Sequence, residues 1–276
     1  MLQKTFSIYP ENFDDCRLFI EAGNQHFACW CKDVQTGAVK AFEFFQFDTD
    51  EKNTIDSVLG EIRLYSKLMN KGISPEAIIW DTEDAVCVPA AFYRDDLAPQ
   101  YIDMLMGEAA GTRVLTQPVE DNVIVSRYAT AYSNAFNTHF DNNNFTHKFS
   151  QVLKKYGNSA QATGGEQANI MHVIFYPSHF IMVAFKNADL QIVRSFSYST
   201  SEDALYNIMQ VCNQYNMPVA GTTIIASGLI DTASNLYSTL YGYLDNFSLQ
   251  EGGEVNFEAP GFSEYPAHYF LPFIYE

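Results

Sequence analysis

The chain has 276 residues, 47% of them hydrophobic and 15% aromatic, with 33 acidic against 16 basic side chains and a formal charge of -17. That length buries roughly three quarters of the extended chain's surface, enough for one large domain or two ordinary ones, and the apolar fraction excludes wholesale disorder. The acidic excess repels phosphate backbones and excludes nucleic-acid binding without a local basic patch; Lys154-Lys155 is the only adjacent basic pair.

From the N-terminus, MLQKTFSIYPENFDD holds no apolar run of signal-peptide length, and no stretch approaches a membrane span. The expectation is a soluble, cytoplasmic protein with no integral membrane segment, peripheral attachment to a membrane complex being left open. Strands are predicted over Arg17–Ala22, His26–Lys32 and Ala38–Phe47, separated by Gly23-Asn24 and by Gln35-Thr36-Gly37. In the third, Phe42 and Phe44 point to one face while Phe45 and Phe47 point to the other, so both faces should be covered. Five cysteines, at 16, 29, 31, 87 and 212, form no disulfide framework; Cys29 and Cys31 flank Trp30 on one strand and read as buried structural thiols.

Asp48-Thr49-Asp50 offers caps for a helix over about Thr54–Met69, whose Ile55, Val58, Leu59, Ile62, Tyr65 and Met69 recur at helical spacing, with Gly72 as its stop. Glu76–Trp80 then reads as a returning strand. Ala85–Pro89, Val114–Gln117 and Asn122–Tyr128 are further strand candidates, and Asp95–Leu105, Ala129–Phe140 and Phe149–Tyr156 are helical ones. Asp141-Asn142-Asn143-Asn144 is a helix breaker, and Gly157–Gln167 is the best boundary loop, which divides the chain near residue 160.

Residues 170–199 repeat the opening pattern: three apolar strands separated by Pro177-Ser178 and by Asn187-Ala188-Asp189. A helix from Glu202 to about Tyr215 follows, with Leu205, Ile208, Met209 and Cys212 on its apolar stripe. Thr222–Ala226 is the returning strand, ended by Ser227-Gly228. Ile230–Leu244 reads as an amphipathic helix, Val255–Phe257 as a last strand, and EYPAHYFLPFIYE as a tail too apolar to be left loose. The two matching halves predict an internally duplicated α/β protein.

The order meander, helix, strand, occurring twice, together with Thr222-Thr223-Ile224-Ile225-Ala226-Ser227-Gly228, resembles the actin-like ATPase superfamily. The whole-chain layout, with segments such as NVIVSRYATAYSNAFNTHF and TTIIASGLIDTASNLYSTL, is similar to a Bacteroidota family of proteins, domain of unknown function 3822. The resemblance implies two ribonuclease-H-like lobes, 1–160 and 161–276, with mixed sheets flanked by helices and a cleft between them. It brings no known activity.

ATP-hydrolysing members of the superfamily carry an Asp-x-Gly phosphate loop in the first turn of each lobe, where glycine lets backbone N–H groups curl round phosphate and the acid positions metal-bound water. Here the first turn offers Glu21-Ala22-Gly23-Asn24-Gln25-His26, with the longer acid. The second is Tyr176-Pro177-Ser178-His179, lacking both acid and glycine, and Pro177 brings no N–H. Glu21, Gly23, Gly221 and Gly228 are therefore the candidate cofactor-binding residues, the last two beside a nucleotide base in the position the resemblance implies. No catalytic residue and no metal ligand is assigned, and no cofactor is expected; ATP with magnesium is the alternative. Six histidines show no paired ligand spacing, Glu21 with Asp81 is the one acid pairing open to a metal nuclease, and Ala226-Ser227-Gly228 lacks the preceding glycine of a nucleophile elbow.

The degenerate second turn and the aromatic surplus favour a non-hydrolysing scaffold or protein-binding module engaging a protein partner, rather than an enzyme. A nucleotide-dependent switch or ATPase, or a small-molecule phosphotransferase, is the alternative. Acidity and aromatic content fix neither the partner nor the oligomeric state.

Overall fold

In the computed structural model, which describes residues 2–11, 14–48, 54–140, 144–163, 169–253 and 255–274, the alternating apolar pattern of the first fifty residues becomes four strands: β1 (Gln3–Ile8), β2 (Cys16–Gly23), β3 (His26–Asp33) and β4 (Val39–Gln46). Helix α1 (Ile55–Tyr65) follows, then β5 (Pro75–Asp81), β6 (Ala85–Pro89), α2 (Ala98–Met106), β7 (Thr112–Val119), β8 (Asn122–Ala129), α3 (Thr130–His139), β9 (Phe145–His147) and α4 (Lys148–Thr163). The remainder forms β10 (Asn169–Phe175), β11 (His179–Lys186), β12 (Asp189–Ser197), α5 (Ser201–Gln214), β13 (Thr222–Gly228), α6 (Asn235–Tyr243) and β14 (Phe247–Leu249). The chain divides into two compact units, Met1–Lys148 with Glu254–Tyr265, and Phe149–Gly253 with Pro266–Glu276.

In the first unit one sheet has the order β1-β4-β3-β2-β5-β9, antiparallel through the meander and parallel from β2 to β5 to β9. Ile55, Val58, Leu59 and Ile62 of α1 and Ala135 and Phe136 of α3 belong to the core on one face, with Leu18, Ile20, Ala22, Ile78 and Trp80 of the strands. Full burial of each such aliphatic side chain contributes up to about 2 kcal/mol. Thr54 caps α1, its side chain accepting from Ser57 N. A smaller sheet, β6-β8-β7, packs with α2 around Val86, Val88, Ile102, Val123 and Val125.

The second unit has the order β12-β11-β10-β13-β14, again an antiparallel meander followed by parallel returns. Helices α5 and α6 contribute Ala204, Leu205, Ile208, Cys212 and Leu240 to the core on one face, with Met171, Val173, Ile224 and Ala226 of the strands. A capping box between Thr200 and Asp203 starts α5. In the tail, Phe270, Leu271 and Phe273 are buried.

Some sequence expectations need correction. Tyr65 is 59% exposed and Met209 43% exposed, so neither belongs to its helix's buried stripe. Tyr65 ends α1, where the chain turns at Ser66 toward Glu43, and Met209 stands one residue beyond the Ile208 face. The helix expected from Ile230 begins only at Asn235, because Asp231 and Ser234 bind the backbone of a preceding turn. Val255–Phe257 supplies one isolated bridge, Phe257 with Val39, rather than a strand. Helix α4 continues through Thr163, across much of the stretch expected to be a loop; 164–167 lie outside the described residues, as do Thr49-Asp50 and Asp141–Asn143. Strands β1, β9 and β14 went unrecognised; two have only three residues, too few to show alternation.

All five cysteines are free thiols, and Cys29 and Cys31 are fully buried. Phe42, Phe44, Phe45 and Phe47 are buried on both faces of β4, as alternation requires. Much of the aromatic surplus is core. Trp80 alone stacks on Tyr128 and Phe145 and meets Tyr132 and Phe136 edge-on. Among the described residues no helix is long and apolar enough to cross a membrane.

Candidate functional site

The parallel strands of the first unit end together. Register pairs Gly23 with Asp81, and Trp80 with His147, so the carboxyl ends of β2, β5 and β9 are adjacent, the position where open α/β sheets place ligands. Glu21 lies two residues before Gly23 and faces the same side of β2. β3 begins with His26, whose ring stacks on Phe44 at 5.7 Å with planes 9° apart. Lys148 opens α4 immediately after β9.

These elements bring Glu21, His26, Asp81 and Lys148 into one buried cluster, none more than 3% exposed. His26 Nε2 stands 3.3 Å from Glu21 Oε1 and 3.7 Å from Asp81 Oδ2, and Lys148 Nζ donates to Glu21 Oε2. Burial pushes the Lys148 ammonium below its ordinary range, opposed by the charges of Glu21 and Asp81. Neighbouring His147 is lowered to about 4, chiefly by burial, against the charge of Asp81 and the Thr82 carbonyl. Its Nε2 lies 3.2 Å from Thr82 O.

Glu21, His26 and Asp81 each offer a ligand atom within 4.8 Å of the others, so the triad could coordinate a metal ion. Binding there would compete with Lys148, which already neutralises Glu21 and would stand beside the incoming cation. The arrangement supplies its own positive charge.

Gly23 is needed for close approach. A Cβ there would lie 2.3 Å from His26 Cε1 and 3.2 Å from Asp81 O, so the imidazole covers the glycine where a phosphate-binding turn leaves room. Gly228 ends β13 with φ +83°, and a Cβ would fall 2.2 Å from Phe175 O. Gly221 lies before the other end of β13, exposed, with nothing nearer to a built Cβ than Pro218 Cγ at 3.8 Å. The structure therefore brings Glu21 and Gly23 together, while the seven residues of β13 keep Gly221 and Gly228 roughly 20 Å apart.

At the second unit's bend, Tyr176 is fully buried and its ring stacks on His179 at 4.6 Å with planes 3° apart. Tyr176 N donates to His179 O at 2.8 Å, the Tyr198 hydroxyl donates to Tyr176 O at 2.7 Å, and Tyr198 N donates to Ser178 O at 3.0 Å. Aromatic rings and internal hydrogen bonds thus occupy the bend.

A second buried carboxylate lies on the opposite face of the first sheet. Glu43 accepts from Lys4 Nζ at 3.0 Å, Cys29 Sγ at 3.1 Å and Lys67 N at 2.9 Å, and from the hydroxyls of Ser66 and Tyr9. Burial raises its pKa, but these donors together hold it below the usual carboxylate range. Five donors to one carboxylate describe a structural anchor for β1, β3 and the end of α1.

The sequence places His26 in the first turn without giving it a role, and it does not point to Lys148. His26 carries a local signal, because a hairpin turning through Asn24-Gln25 sets it opposite Gly23. Lys148 carries none, being 127 residues from Glu21.

A family model described as "Protein of unknown function (DUF3822)" matches residues 3–247. The chain belongs to that family. No curated protein matches the sequence. Its fold is similar to a Bacteroides thetaiotaomicron protein described as having an actin-like ATPase fold and unknown function, with TM-score 0.73, 13% identity, and 86% of this chain and 91% of that one covered. It is also similar to a chain of a PilM–PilN type IV pilus biogenesis complex, with TM-score 0.57, 11% identity and coverage of 92% and 95%. At such identities the likeness establishes the actin-like ATPase type of fold.

Proposed function

We propose that this protein is a cytoplasmic, non-hydrolysing scaffold that engages a protein partner through a duplicated ribonuclease-H-like framework, lobes 1–160 and 161–276. The order shared by β4-β3-β2-β5-β9 and β12-β11-β10-β13-β14 supports the duplication, β1 being an addition at the edge of the first sheet. The observation that carries the function is that the bends in the places where ATP-hydrolysing actin-like proteins cradle phosphate are filled by the chain's own side chains: His26 over Gly23, with Lys148 on Glu21, and the Tyr176–His179 stack in the second unit. Phosphate would have to displace a buried ion pair to enter the first bend, and an aromatic stack to enter the second. The likeness to a chain from a complex of PilM with PilN supports a role in an assembly.

Calorimetry of the full chain with magnesium and ATP is expected to show no binding at millimolar nucleotide. Partners captured by crosslinking in the native cells should bind the purified chain with the same affinity with and without magnesium and ATP. Saturable ATP binding that weakens on substitution of Glu21 or Gly23 would overturn the reading in favour of a nucleotide-dependent switch, ATPase or small-molecule phosphotransferase. Absence of any specific partner would sink the scaffold role.

A further inference from the structure

The two sheets are finished differently at one edge. In the orders β4-β3-β2-β5-β9 and β12-β11-β10-β13-β14, β4 and β12 hold the same outermost place. The chain covers β4 with its own β1, antiparallel, with Gln3 opposite Gln46, Phe6 opposite Phe44 and Ile8 opposite Phe42. Among the described residues no strand covers β12, and the elements packed closely against it are β11 and α5. β12 runs for nine residues without a proline, and its one register shift lies near its start, so it lacks the shortness, proline and central bulge that commonly close an edge.

The phase of the ladder shows which backbone groups are open. Tyr198 N donates to Ser178 O at 3.0 Å, and the pairing continues from Ser197 with His179 to Ile192 with Ala184. Phe196, Arg194 and Ile192 therefore turn their N–H and C=O groups toward β11, while Val193 and Ser195 turn theirs outward. Such a row is what an added strand binds. Side chains supply the address. On the face that carries α5, Ile192 and Phe196 are half-buried at the margin of the core, and Arg194 stands exposed between them. Its guanidinium lies over the Phe196 ring at 5.5 Å and, among the described residues, pairs with no carboxylate. In a chain with 33 acidic against 16 basic side chains, an unpaired arginine on an open edge marks where an acid from outside fits. A second copy answers this poorly: antiparallel self-pairing about Ser195 sets each Arg194 against a phenylalanine, and two chains of charge -17 repel. We propose that the outer edge of β12 docks an extended segment of a protein partner as a sixth, antiparallel strand, with an acidic side chain opposite Arg194 and apolar side chains opposite Ile192 and Phe196.

The proposal rests on the scaffold reading and names its surface and the chemistry of its partner. The probe is the end-blocked peptide KTVTETVTK, titrated into the full chain labelled with nitrogen-15. Saturable shifts centred on the Val193 and Ser195 amides are expected, with their hydrogen exchange slowed at least about tenfold. N-methylation of the two threonines beside the glutamate, whose N–H groups face β12, should abolish binding; N-methylation of the glutamate and the following valine, whose N–H groups face away, should leave it. Arg194→Glu, an exposed change, should weaken KTVTETVTK at least about tenfold and restore that loss for KTVTKTVTK. No saturable binding, equal binding of the two N-methylated peptides, or no charge-swap rescue would overturn the proposal. So would a chain that dimerises in sedimentation with the Val193 and Ser195 amides already protected, because a second copy would then hold the edge. If the peptide fails while a crosslinked partner still binds the chain, the edge falls and the scaffold reading stands; saturable ATP binding removes the scaffold reading without touching the peptide result.

Discussion

The bend between β2 and β3 and the bend between β10 and β11 hold the same place in two sheets that share the order of five strands, the first adding β1 at its edge, yet they are filled by opposite kinds of chemistry. The first is ionic: Glu21 and Asp81 face His26, and Lys148 closes on Glu21. The second is aromatic: Tyr176 lies flat on His179, with Phe273 edge-on to it and the Tyr198 hydroxyl tied to its carbonyl. A common sheet order fixes where a bend falls but leaves its interior to side chains. An ionic interior is conditional, because each charge depends on its partner; an aromatic one tolerates loss of a single polar group more easily.

That contrast can be broken most forcefully at Lys148. Replacing it by Met leaves Glu21 buried without its cation and should cost about 3–5 kcal/mol in urea unfolding, whereas the double change Glu21→Leu with Lys148→Met should return to within about 1 kcal/mol of the parent. Equal losses in the single and double variants would show that the pair acts through packing rather than charge.

The next largest effect is acid sensitivity, and it tests whether the two units share a weakness despite their different bends. His147 and His172 are each lowered by burial to about 4, from an ordinary 6.5. Between those values the unfolded chain binds a proton that the folded chain refuses. Stability from each is therefore complete above pH 6.5 and is lost as pH falls toward 4, by up to about 3 kcal/mol apiece. His172→Leu should flatten its share of that slope in pH-dependent unfolding; an unchanged slope would remove His172 from the account.

The smallest effect compares the two glycines. Gly228→Ala places a Cβ against the backbone oxygen of Phe175 at positive φ and should cost about 2–3 kcal/mol. Gly23→Ala meets the end of a side chain, His26, and should cost less, about 1–2 kcal/mol, because a ring can turn where a strand cannot. The reverse order in thermal unfolding would mean that His26 is held more rigidly than the strand end.

Much of the architecture was legible because period-two and helical patterns are local. The meanders at 17–47 and 170–199, the returning strands, and the stripes Ile55-Val58-Leu59-Ile62 and Leu205-Ile208-Cys212 all emerge from residues near one another in sequence. The cluster was half legible. Glu21 and Gly23 drew attention through their turn, and Asp81 through the end of its strand, but three-residue β9 gave no signal, so nothing pointed to the lysine behind it. Tyr65 and Met209 misled for the complementary reason: spacing says which residues share a stripe, and only packing says where the stripe stops.

By itself the sequence determined the two meander-helix-strand patterns, the burial of Cys29 and Cys31 and of the phenylalanines from Phe42 to Phe47, and the absence of acid and glycine from the bend at Pro177, since each follows from residue type and short-range alternation. Only the tertiary structure decided that Gly23 is covered by His26, that Lys148 reaches Glu21 across more than a hundred residues, and that the ring of Tyr156 covers His172. Those outcomes depend on strand register and on where each helix lands, and both are set by the packing of the whole unit.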